Sequence, residues 1–147
     1  MDRIEEAEGP GVLVTIAPGP RHFSIGFDLP YWMENSENAL VSLIRFQELM
    51  ARLVTFKLPS MAVINGTAIA AGYWLTLSHD IRTMDASKGN ICLSELKLGM
   101  TIPFPYTRML VAKLDPIIVT KISFSIDYEA KEALQDKLVD SLYQDPV

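Results

Sequence analysis

The stretch from Pro59 to Leu77, PSMAVINGTAIAAGYWLTL, carries the first candidate chemistry in this sequence. A β-type segment is followed by an Asn65-Gly66 turn and then by small residues: Ala68, Ala70, Ala71 and Gly72. This order predicts a strand, a tight turn and a helix whose first turn is almost free of side chains. Such a helix start presents unpaired N–H groups and its dipole to an oxygen that gains negative charge. The same small residues would also let a helix pack closely on a sheet, so both interpretations stand at this point.

Length and composition indicate one globular domain over residues 1–147, with 49% apolar and 21% charged residues. A net charge of −5 without a basic cluster argues against nucleic acid as a partner. A single cysteine, Cys92, excludes an internal disulfide framework. The longest apolar stretch, residues 61–77, is interrupted by Asn65, Gly66 and Thr67, which favours a core segment over a membrane span.

The elements that must hold such a site alternate between strands and helices, which is typical of an α/β fold. The sequence predicts a buried strand at Val12–Ile16 and an irregular segment over residues 22–30. It also predicts a helix that begins at Asn35 or Ser36 and buries Leu43, Phe46, Met50 and Leu53. Further strands are expected at residues 80–84, 90–93 and 138–142, and further helices after Pro103, after Asp115-Pro116 and over residues 128–134 with Asp127 as cap.

Several other reactive groups have a simpler structural explanation. The sequence has no GxSxG, P-loop or GxGxxG motif. The two histidines, His22 and His79, lack metal-type spacing, so a zinc site is not expected. His22 is interpreted as an exposed loop residue, His79 as a helix-end residue and Cys92 as an inert core thiol. Tyr73 and Trp74 are expected to pack rather than to stack on a ligand.

Three stretches together resemble the enoyl-CoA hydratase/isomerase (crotonase) superfamily: FSIGFDL at residues 23–29, PSMAVINGTAIAAGYWLTLSHDIR at 59–82, and CLSELKLGMTIP at 92–103. Their details are closest to the Δ3,Δ2-enoyl-CoA isomerases of plants and fungi. The resemblance implies a spiral of ββα units, truncated here at both ends because family members are considerably longer. Lys137 stands where the family has a glycine.

The resemblance also implies a site. The backbone N–H groups of Phe27 and Ala71 would hold the thioester oxygen. The loop residues Ser24, Ile25, Gly26, Asp28 and Leu29 would border coenzyme A. Glu95 would be the catalytic base, and Trp74 stands where hydratases carry their other glutamate. Coenzyme A enters as part of the substrate, with no other cofactor and no metal expected.

The function implied is a Δ3,Δ2-enoyl-CoA isomerase of fatty-acid β-oxidation that binds an acyl-CoA, and the resemblance implies assembly as a homotrimer. One alternative is another crotonase-type enzyme: a hydratase, a dehydratase or a thioester hydrolase. The other is a non-catalytic form that binds acyl-CoA or a partner chain. The expected compartment is the peroxisome or the cytoplasm, with the mitochondrion as alternative.

Overall fold

A computed structural model describes residues 4, 6, 9–19 and 21–144 of the chain. The strands are β1 (Leu13–Ile16), β2 (His22–Ser24), β3 (Ser60–Ile64), β4 (Thr67–Ile69), β5 (Ile81–Asp85), β6 (Asn90–Cys92), β7 (Tyr128–Glu129) and β8 (Ser141–Tyr143). The helices are α1 (Leu29–Glu34), α2 (Ser36–Val54), α3 (Ala71–Leu77), α4 (Phe104–Lys113), α5 (Pro116–Ser123) and α6 (Ala130–Gln135), with a 3-10 helix at Leu96–Leu98.

The strands form two four-stranded sheets, ordered β1-β3-β5-β8 and β2-β4-β6-β7. All pairs in the first sheet are parallel, and in the second only β7 runs antiparallel to its neighbour. From β1 to β6, consecutive strands therefore alternate between the sheets and helical segments follow each pair, whereas α6 lies between β7 and β8. This arrangement confirms the predicted α/β fold and its ββα spiral.

The segment after the Asn65-Gly66 turn differs from the prediction. Thr67–Ile69 forms β4, and the helix starts only at Ala71. The reason is tertiary, because β4 lies between β2 and β6 and its backbone groups pair with both. Two glycines permit the backbone near β2 to approach this segment closely. A Cβ on Gly66 would lie 2.6 Å from the Arg21 carbonyl carbon, and one on Gly72 would lie 2.1 Å from the Ser24 oxygen.

Strand β1 was predicted to be buried, and that prediction is wrong. Val14 is 52% exposed and Ile16 56% exposed. In the described part of the chain β1 pairs only with β3, so it is an edge strand whose alternate side chains face away from the core. An open edge of this kind can pair with another chain.

The sequence predicted which segments form helices better than it predicted how each helix begins. Helix α2 buries Met50 and Leu53 as expected, while Leu43 and Phe46 pack against the core. Asn35 takes the N-cap position without a side-chain capping bond. The Asp115-Pro116 start of α5 is confirmed, with the Asp115 carboxylate accepting from the N–H of Ile117 at 3.0 Å.

Two helix starts were not anticipated. Helix α1 lies within the segment expected to be irregular, and Asp28 caps it by accepting from the Tyr31 N–H at 3.1 Å. Asp127 was predicted to cap the helix near residue 128, but a short strand intervenes and α6 starts with a capping box between Glu129 and Glu132. Lys137 adopts a φ of 57°, a conformation that favours glycine.

Candidate active site

Five of the eight predicted site residues line one cavity of about 140 Å³ between the β2–α1 loop, α3, the 3-10 helix and the start of α4. They are Ile25, Phe27, Leu29, Ala71 and Glu95. The other three lie beside it in supporting positions. Ser24 accepts from the Gly26 N–H at 3.3 Å, Gly26 packs against the start of α3, and Asp28 caps α1.

The amide of Ala71 lies at the first position of α3, so its N–H has no acceptor within the helix. The preceding residue, Ala70, has φ 48° and ψ −119°, a strained conformation for a residue other than glycine. The Ala70 N–H donates to the Cys92 carbonyl at 2.9 Å, and the Ala70 carbonyl accepts from Trp74 N–H at 3.0 Å. These bonds hold the chain in a conformation in which Ala71 lines the cavity.

The β2–α1 loop reaches the same wall. Gly26 has a φ of +93°, and a Cβ there would lie 3.3 Å from the Ala71 nitrogen. Its backbone therefore passes in contact with the Ala71 amide, and Phe27 follows directly along the cavity. The structure thus brings both predicted amide-bearing residues together. Their role as an oxyanion hole stays a prediction.

Glu95 is held at the cavity by one specific bond. The Trp74 indole Nε1 donates to Oε1 of Glu95 at 2.7 Å, and this bond fixes the orientation of the carboxylate. The other oxygen, Oε2, is buried and has no partner in the described part of the chain. Glu95 is only 9% exposed, so this oxygen is removed from bulk water. An unpartnered buried carboxylate oxygen is costly for stability and is a mark of a functional site.

Aromatic rings form much of the cavity wall. Phe27 lies 4.3 Å from Trp32 and 5.2 Å from Phe46, measured between ring centroids. The ring centroid of Tyr106 lies 5.0 Å from that of Trp74. Burial is the main cause that raises the pKa of the Tyr106 hydroxyl; the Gln47 side chain acts to lower this pKa, and the nearby Glu95 acts to raise it. Sequence reasoning assigned Tyr106 only to a helix and gave Trp32 no role, because neither belongs to a recognisable local motif.

The chemistry of the lining is simple. Among the described residues that line the cavity there is one carboxylate, Glu95, and there is no lysine, arginine or histidine. Trp74 was expected to pack, and it does so at 3% exposure while also binding the carboxylate. The site can therefore offer one base next to main-chain donors in an apolar enclosure.

The remaining candidates lie outside this cavity. His79 is fully buried, with Nε2 at 2.8 Å from the Thr15 hydroxyl and Nδ1 at 2.9 Å from the Leu75 carbonyl. Burial lowers the pKa of His79. Cys92 is 2% exposed, and burial raises the pKa of its thiol, consistent with an inert core cysteine. His22 is exposed, but it lies in β2 rather than in a loop.

Over the residues that the structure covers, no set of three or more His, Cys, Asp or Glu side chains is placed to hold a metal ion. In the same residues, no helix has both the length and the apolar character required to cross a membrane.

Comparison with known proteins agrees with this geometry. A family model described as enoyl-CoA hydratase/isomerase matches residues 1–145. Enoyl-CoA delta isomerase 3 of Arabidopsis thaliana is 29% identical over 141 residues, which are 91% of this chain and 58% of the relative. The peroxisomal enoyl-CoA delta isomerase 2 of the same plant is 34% identical over 110 residues, which are 70% of this chain and 45% of the relative.

A solved structure described as an apo enoyl-CoA isomerase of Mycobacterium tuberculosis superposes with a TM-score of 0.82 at 27% identity. That match covers 90% of this chain and 57% of the other. The chain thus spans about half the length of the relatives it matches. Through a family match over almost its whole length and a shared fold, the chain belongs to the enoyl-CoA hydratase/isomerase (crotonase) family.

Proposed function

We propose that this protein is a Δ3,Δ2-enoyl-CoA isomerase that moves a double bond along an acyl-CoA thioester. The observation that carries the proposal is the state of Glu95. One carboxylate oxygen is bound by Trp74, the other is buried without a partner, and no second carboxylate lines the cavity in the described residues. A single positioned base in an apolar enclosure is what a proton transfer between two carbons of one substrate requires.

In this mechanism Oε2 of Glu95 removes a proton from C2 of a 3-enoyl thioester. The electron pair of the broken C–H bond moves toward the thioester oxygen, and the N–H groups of Phe27 and Ala71 stabilise the resulting enolate oxygen. Glu95 then returns the same proton to C4. As the enolate collapses, a C2–C3 double bond replaces the C3–C4 double bond, and atoms and charge balance with no further reactant. Coenzyme A takes part only as the thioester of the substrate.

Trp74 supports isomerisation over hydration. Hydration requires activation of a water and delivery of a proton, which two carboxylates perform in the hydratases of the family. Here an indole with 3% exposure takes the position of one of them and binds the remaining carboxylate. The indole supplies no carboxylate that could act as a second acid at that position.

The test is a Glu95→Gln variant assayed with a 3-enoyl-CoA by following the conjugated 2-enoyl-CoA product. Glutamine keeps the size of the side chain and can still accept from Trp74, but it cannot take a proton. We expect a loss of at least about 10³-fold in kcat, within the range for removal of a general base. The matched control is Glu48→Gln, an exposed carboxyl on α2, which we expect to leave the rate unchanged.

Two outcomes would overturn the assignment. One is isomerase activity that survives in Glu95→Gln. The other is a wild-type protein that turns 2-enoyl-CoA into 3-hydroxyacyl-CoA faster than it isomerises 3-enoyl-CoA, which would make it a hydratase.

A non-catalytic acyl-CoA-binding form is the second candidate, because the same apolar cavity could hold an acyl chain without turnover. Titration of the full chain with a saturated acyl-CoA separates the two functions. Binding without turnover of 3-enoyl-CoA would support the non-catalytic form, and binding with turnover would support the isomerase.

The cellular setting follows from the same proposal. The isomerase would serve fatty-acid β-oxidation, and a relative named as peroxisomal supports that compartment. A homotrimer is part of the proposal and is tested by the mass of the purified protein in solution. Organelle fractionation tests the compartment, and recovery outside peroxisomes would contradict it.

A further inference from the structure

The Trp74 indole is fixed in place beside the carboxylate of Glu95. Its side chain is almost fully buried, and its ring lies 5.0 Å from the Tyr106 ring, measured between centroids. The Trp74 backbone N–H donates to the Ala70 carbonyl at 3.0 Å, and the Trp74 carbonyl accepts from the Ser78 hydroxyl at 3.0 Å. The indole N–H that binds Glu95 is therefore a donor whose position is set by helix α3 and by the neighbouring ring.

This donor makes the two carboxylate oxygens of Glu95 inequivalent. An indole N–H donates a hydrogen bond and accepts none. A proton on Oε1 of Glu95 would point at the indole hydrogen, whereas a proton on Oε2 leaves the bond from Trp74 to Oε1 intact. Oε2 is buried and has no partner among the described residues. It is therefore the oxygen that can gain and lose a proton while the indole bond persists.

A carboxylate without this bond would not keep its oxygens distinct. The last torsion of a glutamate side chain is broad and roughly two-fold, so an unbound carboxylate exchanges its oxygens by rotation. The bond from Trp74 opposes that rotation in both protonation states of Glu95. A proton taken from a substrate therefore stays on Oε2 until it is returned.

We propose that Trp74 is a positioning residue, which commits both proton transfers to Oε2 of Glu95 and so keeps the transferred proton from exchanging with water. This inference rests on the proposed function, since it concerns how Glu95 carries the proton from C2 to C4. The C2–H bond breaks as the Oε2–H bond forms, and its electron pair enters the enolate. The Oε2–H bond then breaks, and the enolate supplies the electron pair of the new C4–H bond. Oε1 accepts from the indole throughout, and no further reactant takes part.

The simple alternative is that Trp74 only fills the core beside Glu95. Phenylalanine would then slow the reaction through looser packing, but the fate of the proton would not change. Under the proposal, Trp74→Phe frees the carboxyl group to rotate. Rotation carries the acidic proton away from the substrate, and it exchanges with water before C4 is protonated. The fate of the proton thus separates a positioning role from a packing role.

The experiment is turnover, in ordinary water, of a 3-enoyl-CoA that carries deuterium at both C2 positions. Mass spectrometry of the product then reports transfer of the removed deuterium to C4 or its loss to water. We expect the wild type to transfer most of it and Trp74→Phe to lose most of that transfer. We also expect kcat to fall about 10-fold in Trp74→Phe, the loss for one hydrogen bond to a charged group, with KM unchanged.

The matched control is Tyr31→Phe on α1, which also removes a hydrogen-bonding atom from an aromatic side chain. The Tyr31 hydroxyl accepts from Asn38 at 3.1 Å, and neither residue lines the cavity. The control should keep both the rate and the deuterium transfer of the wild type.

A second measurement does not require that Trp74→Phe folds. The chain has two tryptophans, so Trp32→Phe leaves a single indole N–H signal in a proton NMR spectrum, that of Trp74. We expect this signal to move upfield when Glu95→Gln is added, because an amide oxygen is a weaker acceptor than a carboxylate. An unmoved signal would show that the indole does not bind Glu95 in solution, and the proposal would fall.

The isotope experiment also separates this inference from the proposed function. A wild type that forms 2-enoyl-CoA but loses the removed deuterium to water would overturn the role of Trp74 and leave the isomerase standing. Full transfer in Trp74→Phe would have the same consequence. A wild type that forms no 2-enoyl-CoA would overturn the proposed function and this inference together.

Discussion

Two groups of polar side chains in this protein, each built around buried residues, differ in how completely the buried members are bonded. The Arg82 cluster consists of Arg82, Asp140, His79 and Lys113. Arg82 is 6% exposed, and its side chain donates to the Leu138 carbonyl at 3.1 Å and to the Asp140 carboxylate at 3.0 Å. The His79 carbonyl accepts from the Lys113 ammonium at 2.8 Å.

The cavity contains the opposite arrangement. Oε2 of Glu95 and the hydroxyl of Tyr106 have no partner among the described residues, although Glu95 is only 9% exposed and Tyr106 only 3%. A buried polar group that is fully bonded holds the fold together, while one left unbonded stabilises nothing and is available to a ligand. The comparison therefore predicts that changes in the cavity alter turnover and that changes in the Arg82 cluster alter stability.

After the loss predicted above for Glu95→Gln, the largest effect is expected at Gly26, where a side chain would enter the cavity wall. In Gly26→Ala the new Cβ would lie 3.3 Å from the Ala71 nitrogen, at a φ of +93° that alanine rarely adopts. The methyl group would displace the loop from the proposed oxyanion hole, and we expect a loss of about 10²-fold or more in kcat. Steady-state kinetics with 3-enoyl-CoA measures this loss.

Gly19→Ala is the control, since nothing lies within 4 Å of its Cβ position. Equal rates in both variants would show that the contact between the loop and Ala71 does not matter for turnover.

The next effect is expected in the Arg82 cluster. Asp140→Ala removes the partner of a buried guanidinium, but the Asp140 side chain is itself 44% exposed. We therefore expect a loss of about 2 kcal/mol in the free energy of unfolding, below the full cost of breaking a buried pair. Urea unfolding measures it, with Asp115→Ala at the exposed start of α5 as a milder control. Isomerase activity measured well below the melting midpoint should not change. A large loss of activity in the folded variant would remove the distinction between the two regions.

The smallest effect concerns the pH dependence of stability. Burial lowers the pKa of folded His79 below its usual value of 6.5, so just below that pH the unfolded chain binds more protons than the folded chain. The free energy of unfolding should therefore fall as the pH drops from about 7.5 to 5. Lys113, Asp80 and Arg82 face the ring and also act on this pKa.

His79→Gln should lower stability at neutral pH and flatten the dependence, as measured by urea unfolding at several pH values. His22→Gln is the control, because His22 is exposed, and it should keep the wild-type slope. A slope that is unchanged in His79→Gln would assign the pH dependence to other groups.

Local sequence determined much of this molecule, because its signals act over a few residues. The Pro59 break, the β-type segment at β3, the Asn65-Gly66 turn and the Asp115-Pro116 helix start all appear where they were predicted. A signal for α1 was also present, since Asp28 and Pro30 are a typical cap and first-turn proline. The three motifs were enough to indicate the family and five residues of the cavity wall: Ile25, Phe27, Leu29, Ala71 and Glu95.

The tertiary structure decided strand pairing, exposure and long-range side-chain contacts, which local sequence patterns do not indicate. Thr67–Ile69 became a strand because two neighbouring strands supply its hydrogen bonds, and β1 is exposed because only β3 flanks it in the described chain. The bond from Trp74 to Glu95 joins residues 21 positions apart, and Tyr106 reaches them from a third element. Which buried oxygens find a partner depends on how the separate elements pack together, and no short stretch of sequence contains that information.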